Sequence, residues 1–158
     1  MKLLIFGDVV GKLGRAGVKK MLPVWREKYS PDVIIANAEN VLHGKGIGPA
    51  QLQELCDAGV DIFTGGNHSV EGKDVEKILN DETIAITRPA NMREDLPGRG
   101  AILFDVETKN VKLLVINLIG QVFMHQEYTS PFIAIDKILE EFGGKTPYKI
   151  LDWHAEAT

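Results

Sequence analysis

The sequence is short of cysteine, of basic charge and of long apolar runs, and each shortage excludes a class of protein. A single cysteine, Cys56, in 158 residues leaves no intrachain disulfide framework and no cysteine-built zinc knuckle, and it fits a reducing compartment. Lys and Arg number 18 against 22 Asp and Glu, a net charge of −4, so no basic face for duplex DNA is expected. No apolar run approaches the ~20 residues of a membrane span. The opening Met1 to Asp8 has too short an apolar stretch for a signal peptide and runs straight into an acid. A cytoplasmic protein with no membrane partner is therefore expected. Disorder is excluded by a hydrophobic content of 44% at this low net charge. What the chain has in excess is glycine, 16 residues, or about 10% where ~7% is usual.

Hydrophobic periodicity divides the chain into alternating elements. Lys2–Phe6, Val33–Ala36 and Val60–Thr64 are short apolar runs that read as buried strands. Val18, Leu22, Trp25 and Tyr29 recur at helical spacing, with Pro23 expected to kink that helix or mark its start. Leu52, Leu55 and Cys56 predict a second helix face ending at Gly59, and Val75, Ile78 and Leu79 a short third. In the second half, Ala101–Val106 and Val111–Leu118 read as a hairpin, Ile135, Ile138, Leu139 and Phe142 as a helix, and Lys149–Trp153 as a last strand. Strand–helix alternation followed by a hairpin predicts an α/β fold with mixed sheets, in one domain over residues 1–158.

The chemistry gathers at strand ends. Four predicted strands finish in Asp8, in Glu39-Asn40, in Asn67-His68 and in His154. Sites in open α/β sheets form beyond the carboxyl ends of strands, so these residues should meet at one edge. Two carboxylates, two amides and two imidazoles make a mixed oxygen and nitrogen set that suits Mn, Fe or Zn better than Ca. Each residue alone has an ordinary alternative: a turn or cap for Asp8, a left-handed turn for Asn67, a core or surface histidine for His68 and His154. Four unrelated strands ending alike is what raises the set above those alternatives. The glycine-rich stretch Gly44–Gly48 matches neither phosphate-loop template and is expected to serve tight turns. Cys56 is expected in the core, Trp25 in packing and Lys19-Lys20 on a solvated face. His43 and His125 receive no role.

The motifs together resemble a known family. Gly-Asp-Val-Val-Gly (7–11) with Gly14-Arg15, Ala-Glu-Asn (38–40), Gly-Asn-His (66–68), Arg-Pro-Ala-Asn (88–91), Pro-Gly-Arg-Gly (97–100) and His-Ala-Glu-Ala-Thr (154–158) are similar, in order, to the YmdB-like metallophosphoesterases of the calcineurin-like superfamily. The resemblance implies a mixed-sheet αββα sandwich and a bacterial, cytoplasmic phosphodiesterase acting on cyclic nucleotides, 2′,3′-cyclic ones above all. It implies two divalent metal ions, Fe or Mn favoured and Zn or Mg admissible, which activate a hydroxide. Matched by motif, Asp8, Glu39, Asn40, Asn67 and His154 are metal ligands, Glu39 is the bridge, and His68 serves the leaving oxygen or steadies the phosphate. The superfamily's Asp-x-His has Val10 in place of its histidine, with Asn40 compensating. The family's later Gly-Thr-His-Thr-His segment does not occur in this sequence. The expectation is therefore a chain lacking a C-terminal part, with an open sheet edge.

Two classes of function follow. One is a metal-dependent phosphodiesterase, possessing most of the site and forming a homo-oligomer. The other is a non-catalytic nucleotide- or metal-binding module that keeps the fold.

Overall fold

A computed structural model describes residues 1–124 and 128–157; His125 and Thr158, named above, lie outside the described residues. The elements are β1 (Leu3–Asp8), α1 (Gly11–Tyr29), β2 (Val33–Asn37), α2 (Pro49–Ala58), β3 (Ile62–Thr64), α3 (Val75–Asn80), β4 (Ala101–Val106), β5 (Val111–Ile119), α4 (Pro131–Phe142) and β6 (Tyr148–His154). They form two three-stranded sheets, β1-β2-β3 and β4-β5-β6. The first is wholly parallel, as its helical crossovers require. In the second, β4 and β5 form the antiparallel hairpin and β6 joins β5 in parallel.

Side-chain alternation along β2 and β5 explains the layering. Val33 and Ile35 point from β2 toward Val115, Leu113 and Ile102 of the other sheet. Ile34 and Ala36 point the opposite way, into a cluster with Val18 and Leu22 of α1, Leu52 and Leu55 of α2 and Ile78 of α3. On β5, Leu114, Ile116 and Leu118 face Ile135, Ile138 and Phe142 of α4. Two sheets packed face to face, with helices outside each, make the αββα sandwich that the resemblance implies. Each fully buried Leu or Phe of these clusters, Leu22, Leu55 and Phe63 among them, contributes about 1.5–3 kcal/mol over an exposed one.

Several expectations need correcting. α1 starts at Gly11, so Pro23 does not mark its start; Pro23 lies on the exposed side of the helix, where its missing N–H costs no buried partner. Tyr29, at the end of the same apolar stripe, is 45% exposed. Trp25 does pack, stacking on Phe6 at 5.6 Å. Cys56 is exposed, not core. The buried stripe of α2 is only Leu52 and Leu55, and position 56 rotates past it.

Two of the motif stretches are braces. Arg88 is buried, and its guanidinium donates to the carbonyls of Pro97, Leu96 and Pro89 at 2.9–3.0 Å. Its main-chain N–H donates to Arg99 O. Arg-Pro-Ala-Asn and Pro-Gly-Arg-Gly thus hold each other, and a Cβ at Gly100 would overlap Ala90.

Candidate metal centre

The carboxyl ends of β1, β2 and β3 from one sheet meet that of β6 from the other. β1 delivers Asp8 directly. The turns after β2 and β3 deliver Glu39-Asn40 and Asn67-His68, and β6 ends in His154. All six residues named from the strand ends lie in one hydrogen-bonded network, drawn from two sheets and not from a single sheet edge.

The network has two halves. In the first, the Asn40 amide donates from Nδ2 to Asp8 Oδ1 and Oδ2 at 3.1 and 3.0 Å and to Glu39 Oε1 at 3.1 Å. In the second, His154 Nε2 meets Asn67 Oδ1 at 2.9 Å, and Asn67 Nδ2 meets His68 Nε2 at 3.1 Å. Glu39 joins the halves. Its Oε1 stands 3.4 Å from His154 Nε2, and its Oε2 accepts the His68 main-chain N–H at 3.1 Å. Glu39 is 1% exposed. Burial pushes its carboxyl above the usual range, opposed by His154 and by the bonds from His68, with Asp8 adding to the rise. Such a buried acid seeks a cation.

Small residues make this closeness possible. Gly65 and Gly66 are buried, and a Cβ on Gly66 would overlap Glu39 Oε2 and crowd the His154 ring. The turn is fixed by Ser69, whose hydroxyl accepts from Gly66 N at 2.8 Å and donates to Gly66 O at 2.7 Å.

Among the described residues, no three side chains drawn from His, Cys, Asp and Glu are grouped to hold a cation. The amides therefore have to count in any metal set. Asn40 Oδ1 is the one buried side-chain polar atom among the described residues with no partner. Its nitrogen stands between Asp8 and Glu39, and its oxygen is left over. Two carboxylates, two amide oxygens and one imidazole fit a hard to borderline divalent ion.

Sequence reasoning missed several contributors. Glu71, three residues beyond His68, meets His68 Nδ1 at 3.0 Å. Its carboxyl is raised by burial, but His68 and Lys45 outweigh that and hold it below the usual range. Asn37 brackets the β2 turn, donating to Gly65 O at 3.2 Å and accepting Glu39 N at 3.2 Å. Asn117, fully buried on β5, accepts Gly65 N at 2.9 Å and donates to Asp152 O at 3.3 Å. An amide inside the apolar run Leu113–Ile119 was a readable signal for it. Tyr128 packs with Met92 and Ile119, and burial raises its phenol, the Glu39 and Glu71 carboxylates adding to the effect. Nothing in its spacing announces that placement. His43 lies exposed in the glycine-rich loop.

Comparison with known proteins places the chain. The family model described as YmdB-like protein matches residues 4–158. A 2′,3′-cyclic-nucleotide 2′-phosphodiesterase of Bacillus subtilis strain 168 is 39% identical over 158 residues, which cover all of this chain and 58% of that protein. A solved structure of a hypothetical protein from Thermus thermophilus superposes with TM-score 0.89 at 36% identity, covering 99% of this chain and 59% of the other. The structure of a novel phosphatase from Mycoplasma pneumoniae gives 0.88 at 32%, covering 99% and 56%. The chain spans 56–58% of the length of the curated relatives it matches at 39% and 35% identity.

Proposed function

The chain belongs to the YmdB-like protein family, and from that premise we propose that its site serves the metal-dependent hydrolysis of phosphodiesters, with cyclic nucleotides, 2′,3′-cyclic ones first, as substrates. The observation that carries the reading is Asn40, whose Nδ2 stands between two carboxylates while its buried Oδ1 has no partner. Asp8 and Glu39 would repel a phosphodiester anion unless cations stood between.

Asp8, Glu39, Asn40, Asn67 and His154 would hold two divalent ions, with Glu39 placed between the halves of the network; Mn and Fe suit the set, and Zn or Mg are admissible. When bound, such ions supply Lewis acidity to the phosphoryl oxygens and lower the pKa of a coordinated water.

The chain's own groups do the rest. Asn67 ties the His154 ring to the His68 ring, so the imidazole that serves the substrate is set by a ligand-bearing turn. Glu39 fixes the His68 main chain. The His68 side chain is 25% exposed, and its Nε2, once the ring has taken up a second proton there, can hand that proton to a departing ribose oxygen. A placed general acid of this kind is worth ~10²–10⁴-fold.

The test is hydrolysis of 2′,3′-cyclic AMP by the chain with added Mn²⁺. Turnover that a Glu39→Ala, His68→Ala double variant abolishes is the expected result, and undiminished turnover in that variant overturns the assignment.

One observation favours a second reading, a module that binds nucleotide or metal without turnover. Among the described residues, no three side chains drawn from His, Cys, Asp and Glu are grouped to hold a metal. Calorimetric binding of Mn²⁺ with a null assay supports this second reading, and robust turnover eliminates it.

A further inference from the structure

His68 is held at both ring nitrogens, and only one of its two partners belongs to the proposed ligand set. Asn67 Oδ1 is occupied by His154 Nε2 at 2.9 Å, so Asn67 turns its Nδ2 toward His68 Nε2 at 3.1 Å. An amide nitrogen only donates, which makes His68 Nε2 an acceptor. A neutral imidazole then carries its proton on Nδ1, and Nδ1 lies 3.0 Å from Glu71 Oε1. The donors run in one consistent direction, from Asn67 to His68 to Glu71.

Glu71 is in turn held from the glycine-rich loop. Lys45 Nζ stands 3.1 Å from Glu71 Oε2, and Ile47 N donates to Glu71 O at 2.9 Å. Gly46 and Gly72 take positive φ, +85° and +125°. A Cβ on Gly46 would come within 2.5 Å of Glu71 O, and one on Gly72 would overlap Ile47 O. Side chain and main chain of Glu71 are thus both clasped by residues 45–47, which gives that stretch a use beyond a tight turn.

We propose that Glu71 is a positioning residue for His68: its carboxylate, steadied by Lys45, keeps the imidazole proton on Nδ1 and aims Nε2 at the Asn67 amide and the cluster beyond it. The inference rests on the role given to His68 above and deepens it. A mere surface ion pair would leave the His68 ring untouched. A carboxylate behind a working imidazole sets its tautomer and aim, and losing such a partner costs about 10–100-fold in comparable sites.

The experiment reads the ring directly. Imidazole ¹⁵N NMR of the metal-free chain is recorded for the wild type and for Glu71→Ala, Glu71→Gln and Lys45→Met, with the His154 signals as internal reference for an intact fold. The wild type is expected to show His68 protonated at Nδ1. Glu71→Ala shifts the proton toward Nε2, and Glu71→Gln, whose carbonyl still accepts, keeps it on Nδ1. Lys45→Met moves it less than Glu71→Ala does. His68 protonated at Nε2 in the wild type, or unmoved in Glu71→Ala with His154 unchanged, overturns the proposal. In the Mn²⁺-supplemented assay, kcat should fall at least ~10-fold in Glu71→Ala with KM held, and recover in part in Glu71→Asp. A wild-type chain with no turnover defeats the phosphodiesterase reading alone, since the tautomer still judges Glu71.

Discussion

His154 Nε2 and Asn67 Oδ1 lie 2.9 Å apart although they stand on strand ends of different sheets. The approach depends on a residue that makes neither bond. Gly66 lies under the His154 ring with no side chain, and a methyl there would also strike Glu39 Oε2. Gly66→Ala is accordingly expected to force the turn and β6 apart, costing about 1–3 kcal/mol by overpacking. It should also erase any Mn²⁺-induced rise in Tm. Denaturant melts and thermal melts with and without Mn²⁺ check both parts, and a wild-type Mn²⁺ response in the variant would show that the two strand ends need not close for binding.

Glu39→Gln separates stability from binding. The buried Glu39 carboxyl is pushed up by desolvation, so the chain pays for its charge at neutral pH when no cation is present. The variant should melt higher than wild type without metal. It should lose the Mn²⁺ stabilisation, which for wild type at ~100 times Kd is about 2.7 kcal/mol, on the order of 5–10 °C in Tm. Calorimetry at one pH, with and without Mn²⁺, tests the crossing of the two orders.

Arg88 needs its fork rather than its charge. Three main-chain carbonyls accept from its guanidinium, and burial holds its pKa below the usual value. A lysine cannot reach all three in that planar geometry. Arg88→Lys should lose about 1–3 kcal/mol of stability, read from urea melts, with the carbonyls left short of donors.

Glu54 links α1 to α2 through Arg15 at 2.7 Å and Lys19 at 3.1 Å. The Arg15 bond, then the Lys19 bond, hold its carboxyl below the usual range. A depressed carboxyl contributes stability above its unfolded pKa and loses it as pH falls through the folded value. Glu54→Gln should therefore melt lower than wild type at pH 7, by at most about 1 kcal/mol at so exposed a pair. The two proteins should converge in acid below the carboxylate range.

Much of this was legible because strand ends leave a pattern in one dimension. Asp8, Glu39-Asn40 and Asn67-His68 each follow an apolar run and a turn, so their convergence could be expected. That His154 arrives from the second sheet could not, because the sandwich pairing is set by contacts far apart in sequence. Cys56 was misplaced for a related reason. Helical spacing tells which residues share a face, and the packed neighbours decide how wide a stripe of that face is buried. Glu71 escaped notice since an acid three residues past a histidine is common in loops, and its meaning comes from Lys45 and Asn67 around it. The ordering by motif was nonetheless informative for bracing as well as chemistry, as the mutual hold of residues 88–91 and 97–100 demonstrates.

Asn117 carries a consequence for how the molecule assembles. Its amide is satisfied by Gly65 N in the other sheet and Asp152 O on the neighbouring strand, in one alignment of β5 alone. Sliding β5 by a single residue would turn Asn117 toward Ala134, Ile135 and Ile138 of α4, an apolar surround. An amide stranded there would forfeit about 1–3 kcal/mol. The purely apolar neighbours of β5 would tolerate such a slip with far less complaint, so this one side chain proofreads the strand: a misaligned chain is marked as costly before the two sheets ever close on the site.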